Sequence, residues 1–139
     1  MTAAADLYCV MGNPIAHSRS PWIHARFAQL TGQSLHYERR LVPLDGFAQA
    51  LQSFAAEGGR GCNITVPFKL EAAQLATTRS ERVQLAGAAN TLVFDGGNIH
   101  ADNTDGLGLV ADITQGAGAP LAGRDVLLVG AGGAASGAH

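Results

Sequence analysis

Leu7 to Gly12 (LYCVMG) is an unbroken apolar run that stops at a turn residue. Such a run suits a strand buried on both faces, the situation of strands in a largely parallel sheet covered by helices. The rest of the chain supplies the alternation this demands. Ser20 followed by Pro21 reads as an N-cap and a first-turn proline. Ile23, Phe27 and Leu30 then recur at helical spacing, and Gly32 stops the helix. Leu35 to Val42 reads as a second strand, with Leu35, Tyr37, Arg39 and Leu41 on one side. Asp45 can start the next helix, in which Phe47, Leu51, Phe54 and Ala55 form a core stripe that Gly58-Gly59 ends. Arg60 to Thr65 is the third strand. Two successive strand–helix units predict right-handed crossovers, hence an α/β fold with a mostly parallel sheet and helices on both faces.

The third strand runs into Asn63-Ile64-Thr65-Val66-Pro67-Phe68-Lys69. Strand alternation puts Asn63 and Thr65 on one side, and Pro67, which lacks an N–H and restricts Val66, ends the strand. Lys69 follows the strand's carboxyl end, where open α/β sheets place their ligands. Taken alone, Lys69 reads as a solvated surface lysine. Ser18 and Ser20 lie in a loop at a helix N-terminus, where hydroxyls and free N–H groups suit an anion, although Ser20 as a plain helix cap explains it too.

Leu70 to Ala76 reads as a short helix, and Ser80 caps another that runs to Leu85 or Ala86. Thr91 to Phe94 and Asn98 to Asp102 form a hairpin around Asp95-Gly96-Gly97, with a loop longer than the two-residue minimum. Asn103-Thr104-Asp105-Gly106 precedes a helix with apolar positions at Leu107, Val110 and Ile113, and Asp105 also fits a helix cap. Gln115 to Pro120 is a linker. Asp125 to Val129 reads as a strand, followed at once by Gly130-Ala131-Gly132-Gly133-Ala134-Ala135. That is G-x-G-x-x-A in the strand-to-helix position of a dinucleotide fold, although the sequence stops at His139 without the ribose reader that such a fold carries about 20 residues on. There is no internal repeat.

These readings divide the chain into a substrate-binding domain at 1–104, a connecting helix and linker at 105–120, and the first strand and Gly-rich loop of an incomplete Rossmann domain at 121–139. With 139 residues there is chain for one sizeable core. A net charge of −2 without basic runs argues against nucleic acid or an anionic membrane as partner. Cys9 and Cys62 sit in apolar runs and read as reduced core thiols. The histidines His17, His24, His36, His100 and His139 show no metal-ligand spacing, so no metal is expected. The first residues lack a basic leader and no apolar stretch reaches membrane-spanning length, which makes a cytoplasmic protein the expectation.

Ser18, Ser20, Asn63, Thr65, Lys69, Asn90 and Asp105 all fall at strand ends or helix starts, where loops converge into a polar pocket. Hydroxyls and a cation suit a carboxylate; amides and a carboxylate suit sugar-like hydroxyls. A lysine and an aspartate in one cleft can act as an acid–base pair.

Five motifs, in order along the chain, carry a resemblance. They are Gly12 to Pro21 (GNPIAHSRSP), Asn63 to Lys69 (NITVPFK), Ala89-Asn90-Thr91, Asn103 to Gly106 (NTDG) and Gly130 to Ala134 (GAGGA). Together they resemble shikimate dehydrogenase, in register along essentially the whole sequence. The resemblance implies NADPH-dependent reduction of 3-dehydroshikimate to shikimate, a step toward chorismate and the aromatic amino acids. It implies that Ser18, Ser20 and Thr65 hold the substrate carboxylate, and that Asn63, Lys69, Asn90 and Asp105 contact the ring hydroxyls and carbonyl. Lys69 would transfer the proton, with Asp105 as its partner. Gly130, Ala131, Gly132, Gly133 and Ala134 would lie under the NADP pyrophosphate. Glu81 would stand on the cofactor side of the cleft, a position that an exposed helix glutamate explains equally well. A homodimer is among the partner expectations.

The sequence departs from the family after the glycine loop. The family continues into a complete nucleotide-binding domain and a late helix that returns to the substrate with a glutamine. The 139 residues thus resemble the first half of the enzyme, a fragment or frameshifted product, expected to be inactive alone. Three alternatives stand beside that reading: a non-catalytic shikimate-binding chain, a quinate/shikimate dehydrogenase relative, and a poorly folded remnant with Val126 to Val129 as an unpaired edge.

Overall fold

The computed structural model describes residues 4–138. Residues 1–3 and His139 lie outside that description, and with them the start of the amino-terminal segment read above for a leader. The elements run β1 (Asp6–Gly12), α1 (Ser20–Thr31), β2 (Leu35–Leu41), α2 (Phe47–Ala56), β3 (Gly59–Ile64), α3 (Lys69–Leu75), β4 (Thr78–Arg79), α4 (Glu81–Ala86), β5 (Thr91–Asp95), β6 (Asn98–Asp102), α5 (Asp105–Ala111) and α6 (Gly133–Ala138). A π-helical turn, Asp112–Gly116, extends α5.

Six strands form one sheet in the order β2-β1-β3-β5-β6-β4. β1 pairs in parallel with β2 and β3, as the strand–helix alternation predicts, and β4 pairs in parallel with β6. The β5–β6 hairpin joins antiparallel, β5 against β3. The sheet is therefore mixed, its parallel half being the one that carries the crossovers.

Alternation along β1 assigns the two faces. Cys9 and Met11 point into the core with Cys62, Ile64 and Leu92, where Phe47, Leu51 and Phe54 of α2 cover them. Tyr8 and Val10 point the other way, beside Tyr37 on β2. There α1 packs, with His24 stacked on Tyr37. Helices thus cover both faces. Cys9 and Cys62 are register partners, both free and buried, and a hydrogen bond between them together with burial holds the Cys62 thiol well above its ordinary range.

Several local readings change. Asp45 does not cap α2; Gly46 holds that position without a side-chain bond. Ser20 is the first residue of α1 rather than its cap, and Ser18 Oγ accepts the Ser20 N–H instead. Ile23, Phe27 and Leu30 are exposed, because α1 turns Ser20, His24 and Ala28 toward the sheet and leaves its apolar positions beside that line. The hairpin loop is the two-residue kind: Asp95 pairs with Asn98, and Gly96 and Gly97 take φ of 54° and 88°. Both central residues at positive φ make a type I′ turn, whose twist matches the strands.

The segment Asp125 to Val129 forms no strand. A strand exists through its partners' N–H and C=O groups, and among the described residues none lies beside it. The glycine loop that follows does lead into a helix, α6, but that helix packs against α5, α4 and α3 rather than on a sheet of its own. Ser80 Oγ accepts the Val83 N–H and caps α4, which runs to Ala86, both as the sequence indicates, and Gly87 ends it at φ 63°. Among the described residues no helix is long and apolar enough to cross a membrane.

Candidate active site

The carboxyl ends of β1 and β3 are tied together. Thr65 N–H donates to the Met11 carbonyl at 3.0 Å, and Asn13 N–H donates to the Val66 carbonyl at 3.0 Å. Gly12 permits that approach: a Cβ there would stand 2.4 Å from Thr65 Cγ2. The loop after β1 is held by Asn13 Nδ2 donating to the Val42 carbonyl at 2.9 Å. Arg39 on β2 donates from Nε and Nη2 to the Ser18 carbonyl at 2.8 and 2.6 Å. These ties fix the Ser18–Ser20 loop over the strand ends.

Between the loops lies a cavity of about 320 Å³, bounded by Val10, His17, Ser18, Ser20, His24, Asn63, Ile64, Thr65, Lys69, Asn90 and Asp105. All seven residues that the sequence nominates for the substrate border it. Glu81 does not; it is exposed at the start of α4. Gly130 to Ala134 stay off the cavity wall as well, although a Cβ on Gly133 would come within 3.1 Å of Lys69 Cβ.

Hydrogen bonds tie the polar groups into two sets, the Ser18–Ser20 pair and a network around Asp105 and Asn90. Ser18 Oγ donates to Ser20 Oγ at 3.2 Å. Across the cavity Lys69 Nζ donates to Asp105 Oδ2 at 2.6 Å, and Asn90 Nδ2 donates to Asp105 Oδ1 at 2.9 Å and to Thr104 Oγ1 at 2.8 Å. Asn90 Oδ1 accepts from Thr91 Oγ1 at 2.9 Å and from the Thr104 N–H at 3.0 Å. Asn63 joins that network through Nδ2, which donates to Thr91 Oγ1 at 3.2 Å, while its Oδ1 accepts from the Tyr37 hydroxyl at 2.7 Å. Asp105 opens α5 but does not cap it, since both carboxylate oxygens are taken by Lys69 and Asn90.

Asn103 is a functional support that the sequence reading quoted only as part of its motif. It is 2% exposed, donates from Nδ2 to the Ala88 carbonyl at 2.9 Å, and accepts the Asp105 N–H on Oδ1 at 3.0 Å. Tyr37, His24, Thr91 and Thr104 were named in the sequence reading without a role in the site. A polar-tipped aromatic on a strand beside the cavity strand was the available signal for Tyr37. Its partner, 26 positions away, was not visible.

The arrangement can hold a small hydroxylated acid. Its wall brings together the Ser18, Ser20 and Thr65 hydroxyls, the Asn63 and Asn90 amides and the Lys69–Asp105 ammonium–carboxylate pair. Lys69, its side chain only 13% exposed, can give a proton to an oxygen beside it while Asp105 keeps it in place.

Comparisons with known proteins identify the family. A family described as "Shikimate dehydrogenase substrate binding domain" matches residues 10–92. The "Shikimate dehydrogenase (NADP(+))" of Acidovorax sp. (strain JS42) is 98% identical over 137 residues, covering 99% of this chain and 49% of that protein. The crystal structure of an Ael1 enzyme from Pseudomonas putida superposes with a TM-score of 0.89 at 53% identity, over 96% of this chain and 49% of that one. The Thermus thermophilus shikimate 5-dehydrogenase in complex with shikimate superposes at 0.85 with 33% identity, over 95% and 50%. This chain spans about half the length of the curated relatives it matches, and by its motifs, its sheet and that match it belongs to the shikimate dehydrogenase substrate-binding domain family.

Proposed function

We propose that these residues form the substrate half of an NADP-dependent shikimate dehydrogenase, the enzyme that interconverts 3-dehydroshikimate and shikimate. The observation that carries the reading is the Lys69–Asp105–Asn90 cluster, which lines one cavity together with Ser18 and Ser20. Ser18, Ser20 and Thr65 take the carboxylate; Asn63, Asn90 and Asp105 take ring hydroxyls. Reduction of the ketone leaves an alkoxide, and the Lys69 ammonium stabilises and protonates it, which is worth roughly 10²–10⁴-fold. Asp105 keeps the ammonium aimed. The relatives' NADP(+) names and the shikimate complex of the Thermus thermophilus enzyme support the ligand assignment.

Residues 130–138 do not by themselves fit a dinucleotide. Gly130 does take φ 134°, but Asp125 to Val129 is unpaired and Gly133 lies against Lys69. The chain alone is therefore expected to bind shikimate without turnover, because positioning both reactants supplies much of such a rate.

The test is a chimaera joining these 139 residues to the remaining part of the Acidovorax sp. relative. It should reduce 3-dehydroshikimate with NADPH at the relative's own rate. A folded chimaera without turnover, beside an active relative, would overturn the reading.

A further inference from the structure

The seat read for a carboxylate holds hydroxyls but no cation of its own. Ser18, Ser20 and Thr65 bring hydroxyl groups to the cavity wall. A hydroxyl donates to a neutral carbonyl as well as to a carboxylate, so hydroxyls alone discriminate weakly between an acid and its amide. The Lys69 ammonium is already matched, because Asp105 Oδ2 accepts from its Nζ at 2.6 Å. His24 also borders the cavity, but burial holds its imidazole below the usual value, a hydrogen bond with the Asn63 side chain offsetting part of this, so it is uncharged at neutral pH. The Arg19 guanidinium lies 5.9 Å from the centre of the Trp22 ring and stays off the cavity wall.

Arg39 is placed differently. Alternation along β2 sets Tyr37 and Arg39 on the α1 side of the sheet, and Glu38 and Arg40 on the other. Glu38 and Glu57 are both engaged by Arg40 there. Among the described residues no carboxylate pairs with Arg39. Its Nε and Nη2 instead both donate to the Ser18 carbonyl, at 2.8 and 2.6 Å. A permanent, uncompensated charge is therefore anchored on the residue whose Oγ donates to Ser20 Oγ and accepts the Ser20 N–H.

We propose that Arg39 is a positioning residue that charges the Ser18–Ser20 seat: it holds the loop through the Ser18 carbonyl and supplies the positive potential that favours a carboxylate over a neutral group. A unit charge acts over several ångströms without touching its partner, and low ionic strength screens it least. That shikimate's carboxylate is the occupant rests on the function proposed above, whereas the charge on the loop does not.

The experiment follows amide shifts of the ¹⁵N-labelled 139-residue chain, at low ionic strength, with shikimate and with its neutral, isosteric carboxamide. Arg39→Gln keeps an N–H donor without the charge, and Arg39→Lys keeps the charge without the two-pronged donor. The unaltered chain should bind the acid at least about tenfold more tightly than the amide. Arg39→Gln should cut that preference at least about fivefold, and Arg39→Lys by less than about twofold. Added salt should shrink the preference in the unaltered chain and not in Arg39→Gln. Equal weakening of acid and amide in both variants would make Arg39 a structural tie and overturn the proposal. A preference that Arg39→Gln leaves intact, or that His17→Gln removes instead, overturns it too. Cyclohex-1-ene-1-carboxylate, which has the acid and none of the hydroxyls, separates the two readings. Arg39-dependent shifts at Ser18 and Ser20 with that acid, in a chain that ignores shikimate up to about 10 mM, support the charged seat and overturn the shikimate reading. If neither acid moves those two amides, the seat and the proposal fall together.

Discussion

Lys69 Nζ donates to Asp105 Oδ2 at 2.6 Å across 36 positions of sequence. The lysine opens α3 and the aspartate opens α5, so the contact joins two helix starts across the end of the sheet. Each group is partly shielded, with side-chain exposures of 13% and 32%. Lys69→Met and Asp105→Asn should each lower the unfolding free energy by about 1–2 kcal/mol, and the double variant by less than the sum. Urea denaturation of the four proteins reads the coupling. Additive losses would mean that the pair is a bystander.

In the chimaera, Lys69→Ala should reduce kcat by about 10²–10⁴-fold while KM changes by less than about tenfold. Steady-state kinetics at saturating NADPH separate the two. A rise in KM alone would make Lys69 a binding group and leave the proton source unidentified.

How much of this was legible follows from what each element depends on. The strands β1 and β3, the Ser80 cap and the Gly32 stop depend on local pattern, and they were readable. The two-residue strand β4 was not, since only its pairing with β6 defines it. The helix period located an apolar side on α1 but could not say that His24 and Ala28, not Phe27, meet the sheet. Asp125 to Val129 has strand composition, yet a strand also needs a neighbour. The seven cavity residues were readable from their motifs, whereas Tyr37 and Asn103 act only through contacts made by the fold.

Phe68 joins the motif to the core. It is 2% exposed, stacks on Phe47 at 4.9 Å between centroids, and its carbonyl accepts the Ala72 N–H that begins α3. Phe68→Ala should cost about 3–5 kcal/mol of stability. Ligand affinity should fall with it, because Lys69 is the next residue. Denaturant midpoints check the first effect and calorimetry the second; an unchanged midpoint would contradict the packing assigned here.

Asp102 gives the site an acid-sensitive support. Burial alone would raise its carboxyl, but hydrogen bonds from Ser80, Arg82 and the Asn103 N–H outweigh it and hold the folded value below the ordinary one. Its contribution is therefore present above the unfolded carboxyl pKa of about 4 and is lost as pH falls through the folded value. Because Asn103 carries the Asp105 N–H, the loss reaches the cavity. Asp102→Asn should lower stability at pH 7 and flatten its decline below about pH 4, read by denaturation across that range. An unaltered slope would assign the acid sensitivity to other carboxylates.

The most direct measurement is a shikimate titration of the ¹⁵N-labelled 139-residue chain followed by amide chemical shifts. Saturable shifts should appear at Ser18, Ser20, Asn63, Thr65, Lys69, Asn90 and Asp105, with dissociation near the millimolar range or tighter, and should vanish in Lys69→Met. A well-dispersed spectrum that does not change up to about 10 mM shikimate, or one whose shifts gather away from these seven residues, would contradict the assignment of this cavity.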